Sequence, residues 1–142
     1  MERKTNWIAF IVAALVGMFL GFLWYGFIFQ TLWAAGNGIT TEGGVYLKDG
    51  VEMPMSATPM LFNTFGMFAY ALLINWLLGL TSAKTWMDGA KVGGAIGLIV
   101  AMNITIGNLF ANDPASLSMV DGSYSLVCFI AMGAILGGWQ KK

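Results

Sequence analysis

The stretch WIAFIVAALVGMFLGFLWYGFIF, Trp7–Phe29, runs for 23 residues without a Lys, Arg, Asp, Glu or His. At about 1.5 Å of rise per residue it makes a helix of roughly 34 Å, enough to cross a hydrocarbon core of about 30 Å. Three further stretches read the same way: about Met60–Leu80, Val92–Ala111, and Tyr124–Trp139, the last extended by Gly122, Ser123 and Gln140. Asp121 and Lys141 mark its two edges. None alternates as a membrane strand does, and a lipid interior requires backbone groups to be satisfied within each segment, so helices are expected. With 58% hydrophobic and 10% charged residues, the chain is too short to hide four all-round apolar helices inside a water-soluble fold. The expectation is an all-α polytopic membrane protein, one domain over residues 1–142, with spans at about 7–29, 60–80, 92–111 and 123–140.

Once the spans are placed, the basic residues separate. Arg3, Lys4, Lys84, Lys91, Lys141 and Lys142 fall on one side and Lys48 on the other. Six against one puts both termini in the cytoplasm, in a cell or inner membrane, by the positive-inside rule. The acids run the other way, with Glu42, Asp49, Glu52, Asp113 and Asp121 outside and Glu2 and Asp88 inside. The 23-residue first stretch exceeds a secretory h-region and lacks a clean cleavage site, so it is expected to remain as a helix.

The outer connection, residues 30–59, is the long one. Within it Val45–Met53 predicts a hairpin, because Asp49-Gly50 suits a type I′ turn and pairs Leu47 with Glu52 and Tyr46 with Met53. Two isolated strands are marginal unless they pack on something. Ala34–Gly38 reads as a helix end with a glycine or asparagine cap, and residues 81–91 as an interfacial inner connection.

Helices in lipid associate through close backbone approach and polar contacts rather than hydrophobic burial. The packing candidates are therefore Gly17 and Gly21 in the first span, Gly93, Gly94, Gly97 and Ala101 in the third, and Gly133 and Gly137 in the fourth. In span three the small-and-polar stripe continues through Thr105, Asn108 and Asn112, leaving Ile96, Ile99, Val100 and Met102 on the opposite side toward lipid or looser packing. Asn63, Asn75, Asn103, Thr105 and Asn108 need partners where water is excluded, either as interhelical contacts or as the lining of a polar path. Asn103-Ile104-Thr105 matches a glycosylation sequon at a depth that glycosylation does not reach.

Catalytic and metal-binding sets are not evident. The chain has no His, and its one cysteine, Cys128, reads as a small apolar residue rather than a disulfide partner or zinc ligand. Glu42, Asp49 and Glu52 are not fixed as cation ligands, and Gly93–Gly97 lacks the flanks of a phosphate loop. No enzyme activity, metal, cofactor or nucleic-acid partner is expected. The expected partners are the lipid bilayer and either further copies of the chain or another membrane protein.

Gly21-Phe22-Leu23-Trp24-Tyr25-Gly26, followed by Trp33 and an outer loop, resembles the first-helix signature of the DUF1761 family of small four-helix membrane proteins. Asp121-Gly122-Ser123-Tyr124, leading into Ala131–Trp139, is similar to that family's closing helix. The resemblance singles out Trp24, Tyr25, Gly26, Trp33, Asp121 and Tyr124, and implies an architecture without an established activity. Where the family often places a His near the start of its last helix, this chain has Ser125. The functional expectation is a helix-packing and assembly module, with a passive channel or carrier for a small neutral solute, lined by the Asn and Thr residues, as the alternative.

Overall fold

The computed structural model describes residues 4–140. Arg3, Lys141 and Lys142, with Glu2, contribute to the charge asymmetry and lie outside the described residues. Four long helices carry the apolar sequence: α1 (Trp7–Leu23), α3 (Thr58–Leu80), α4 (Trp86–Ala111) and α5 (Ala115–Gly138). All four are long and apolar enough to cross a membrane. A π-helical segment (Trp24–Ile28) and the short α2 (Gln30–Gly36) follow α1.

Local chemistry sets the helix starts. The Asn6 carboxamide oxygen accepts from the Ile8 and Ala9 amides at 3.1 and 3.3 Å, capping α1. α4 begins at Trp86, six residues before the expected Val92, because Thr85 and Asp88 form a reciprocal capping box. Much of residues 81–91, read as a connection, is therefore helix. α5 begins at Ala115, directly after Pro114, and runs through Asp121, the residue expected at the edge of the span. Proline favours a helix start, and the six residues Ala115–Val120 that follow it lengthen the helix by nearly two turns. The α4–α5 connection turns at Asn112, which takes a left-handed conformation at φ 59°.

The extramembrane connection forms more than a hairpin. β1 (Ile39–Glu42), β2 (Val45–Lys48) and β3 (Val51–Glu52) make an antiparallel sheet with β2 in the centre. The expected register is present: Leu47 faces Glu52, and the Met53 amide donates to the Tyr46 carbonyl at 2.8 Å. Asp49 and Gly50 both adopt positive φ, as a type I′ turn requires. The unanticipated third strand uses the same device, since Gly43 and Gly44 have φ of 58° and 84° and fold β1 back along β2.

α5 is the axis of the bundle and packs against α1, α2, α3 and α4. Between α1, α3 and α5 lies a core of small and flexible side chains, including Ala9, Ala13, Ala14, Ala71, Met67, Met132 and Leu136. Gly17 belongs here: a Cβ on it would stand 2.8 Å from the Met67 sulfur. At the end bearing both termini, the Asn6 side chain donates to the Trp139 carbonyl at 3.0 Å and Gln140 donates to Ala83 at 2.9 Å.

The α4–α5 contact is of another kind, backbone against backbone. A Cβ on Gly93 would collide with the Phe129 carbonyl, one on Gly89 with the Gly133 carbonyl, and one on Gly97 would lie 2.8 Å from Leu126 Cα. Gly137 approaches Gly89 equally closely, while Ala101 faces Gly122 and Gly94 meets only the Ile130 side chain, at 3.5 Å. Ile96 and Val100, expected toward lipid or looser packing, are half-buried against the core, because the contact line runs through Gly89, Gly93 and Gly97 and not through Gly94. Gly93→Ala is expected to destabilise the protein by about 1–3 kcal/mol, since the obstruction is backbone, whereas Gly94→Ala is expected to be near neutral. Reversible unfolding in mixed micelles measures both, and equal costs would refute this account of the contact.

Candidate functional site

The segments singled out by the resemblance come together in space. At the end of α1 the helix widens by one residue, seen in the Phe29 amide donating to the Trp24 carbonyl at 2.8 Å, a bond across five residues. Such π-turns recur at functional sites because they re-aim the side chains around them. Trp24 and Tyr25 leave this turn toward α5. The Trp24 indole N–H lies 3.2 Å from both the Val120 carbonyl and the Ser123 hydroxyl. The Tyr25 ring meets Tyr124 at 5.0 Å and Trp33 of α2 at 5.5 Å, both edge-on. A Cβ on Gly26 would meet only Phe22 of α1, in ordinary contact at 3.6 Å, so Gly26 does not admit a neighbouring helix.

Beneath these rings, the Tyr25 hydroxyl lies beside the half-buried Asp121 carboxylate, near enough for the two to interact electrostatically. Tyr124 reaches the other way and donates to the Gly17 carbonyl at 3.2 Å. Gly21 makes room for it: a Cβ there would stand 3.1 Å from the Tyr124 oxygen. Ser125, in place of the family's frequent His, is buried and donates to the Asp121 carbonyl at 2.9 Å.

Two cavities flank this cluster. One, of about 370 Å³, opens between the π-turn, α2 and the sheet, with Tyr25 and Trp33 in its wall. The other, of about 310 Å³, is a lateral cleft between α3 and α4 over α5, with Tyr124, Ser125, Cys128 and Asn63 among its lining residues. The Tyr25–Tyr124 contact thus joins a wall of the first cavity to a wall of the second.

The polar residues considered for a solute path are not gathered along one. Asn75 is buried near the termini and donates to Thr5 at 3.2 Å, while Asn108 donates to Ser118 at 3.1 Å near the opposite end. Thr105 donates back to the Ala101 carbonyl of its own helix at 2.8 Å. Asn63 is exposed at the cleft, and Asn103 is exposed along α4.

The approach of Asp121 to Tyr25 is not legible from a hydropathy profile, which makes Asp121 the edge of the fourth span and not a residue two turns inside a helix. Pro114, seven residues earlier, was the available signal that the helix had already begun.

Four membrane-capable helices, a small sheet over one end and an aromatic cluster at a π-turn define a polytopic membrane-protein architecture. The family model described as protein of unknown function (DUF1761) matches residues 8–137. The chain belongs to that family. No curated protein and no solved structure matches it.

Tyr25→Phe leaves the Asp121 carboxylate without its phenol and is expected to cost about 1–3 kcal/mol of stability. Asp121→Asn in the same chain is expected to recover part of that loss, giving a coupling of about 1 kcal/mol in a double-mutant cycle. Strict additivity would show that the two side chains do not act as a pair.

Proposed function

We propose that this protein is a non-enzymatic membrane module that assembles with copies of itself through the outward face of α4. The observation that carries the reading is Asn103. Its side chain is exposed about 12 Å from the Ala111 end of α4, and no described residue hydrogen-bonds it. A carboxamide facing hydrocarbon gains strongly from a partner, and two of them related by a twofold axis donate and accept reciprocally. Gly107, one turn away, has nothing within 4 Å of the Cβ it lacks, so a second backbone has room to approach. The glycine line of α4 is already used on α5, which leaves this outward side for association.

The non-enzymatic part of the reading is supported by the absence of His from the chain and by the engagement of Asp121 with Tyr25 rather than with a nucleophile. Both termini in the cytoplasm of a cell membrane complete the proposal, on the strength of the charge asymmetry.

Energy transfer between labelled copies in liposomes, measured as protein is diluted into lipid, tests self-association. Reversible association is expected, and Asn103→Leu is expected to weaken it by about 0.6–2 kcal/mol, roughly 3- to 30-fold in dissociation constant. Monomers at every ratio, or an unchanged constant for Asn103→Leu, would overturn the proposal.

A further inference from the structure

The geometry points to the cavity between the π-turn, α2 and the sheet as a binding site for an alkylated ammonium group. At about 370 Å³ it falls at the small end of ligand pockets, and aromatic rings enter it from two directions. Tyr25 and Trp33 meet at 61°, forming a corner rather than a stack, and Tyr46 comes from β2. Met53 and Met55 add polarizable thioethers to the lining. Ring faces attract cations through their quadrupoles, most strongly where water is displaced, and alkylated ammonium groups suit such aromatic surroundings because their charge is not tied to strong hydrogen bonds.

Charge favours the same ligand. The sheet and its turns carry Glu42, Asp49 and Glu52 against Lys48 alone. Behind the cavity wall, the Asp121 carboxylate lies beside the Tyr25 hydroxyl and adds a further acidic group on that side. An anionic ligand would meet this field unfavourably, and a neutral apolar one would gain nothing from it. The ammonium group belongs either to a small free cation or to a lipid headgroup, and both place the same chemistry in the cavity.

The full chain, purified in maltoside micelles free of choline, is titrated with choline and with its neutral tert-butyl isostere, following tryptophan fluorescence. Saturable choline binding is expected, about 10-fold or more tighter than the isostere. Tyr46 is exposed, so Tyr46→Leu is expected to keep the helical circular dichroism unchanged while weakening choline about 5-fold. The titration is repeated in nanodiscs of phosphatidylcholine and of phosphatidylglycerol. Suppression by phosphatidylcholine alone assigns the site to a lipid headgroup, and equal binding in both assigns it to a free cation. No saturation, equal affinity for the isostere, or an unchanged constant for Tyr46→Leu would overturn the assignment. None of these readouts depends on self-association, so the two proposals fail separately.

Discussion

Two apolar helices in a bilayer gain little by exchanging lipid for each other, so the closeness of their backbones decides how firmly they hold. α4 and α5 meet this condition through Gly89, Gly93 and Gly97 on one side and Gly133 and Gly137 on the other, with carbonyl groups where side chains would otherwise stand. The remaining packing follows from the position this gives α5. With one face closed against α4, its other sides receive α1 and α3 through Met132, Leu136 and Cys128, and α2 through Leu117, whose side chain fills the space beside Gly36. The contact of α4 with α3 is slight, which is why a lateral cleft lies between them.

The aromatic cluster depends on the same axis. Trp24 and Tyr25 reach α5 because the π-turn adds a residue before α2 begins, and α5 presents Val120, Asp121, Ser123 and Tyr124 at that level because it starts as early as Ala115. Were α5 to begin at Tyr124, Asp121 and Ser123 would be loop residues and the indole and phenol would face lipid without partners. An acid two turns inside a membrane-capable helix is tolerated here where it is only half-buried and has the Tyr25 hydroxyl beside it.

Much of this was legible in the sequence, for identifiable reasons. Trp7–Phe29 and its counterparts announce helices through length and unbroken hydrophobicity, properties that do not depend on tertiary context. Asp49-Gly50 announces a turn because few residue pairs accept two positive φ values. The paired Gly43 and Gly44 carried the same signal for β1, but Ile39–Glu42 has no apolar alternation to mark it as a strand. The helix ends were less legible. Lys84, Asp88, Lys91 and Asp121 look like aqueous residues to a hydropathy reading, whereas capping at Thr85 and the proline at 114 govern where the backbone starts to coil. That single difference hid Gly89 from the packing line and Asp121 from the cluster.

The arrangement also separates two surfaces that would otherwise compete. The outward side of α4, with Asn103 and Gly107, contributes no residue to the cavity under the sheet, which is built from the π-turn, α2, the strands and the residues leading into α3. The association proposed for α4 would therefore leave that cavity uncovered by the contact itself. At the other end of the bundle, the side-chain bonds from Asn6 to Trp139 and from Gln140 to Ala83 tie the termini and the α3–α4 connection together. The ends differ in kind: polar ties close the one at the termini, and the one under the sheet holds a space lined by aromatic rings beside a carboxylate. A module whose only task was to fill a layer between neighbours would have no use for that difference, which is why the sheet end is the part of this fold where specificity for a ligand is to be sought.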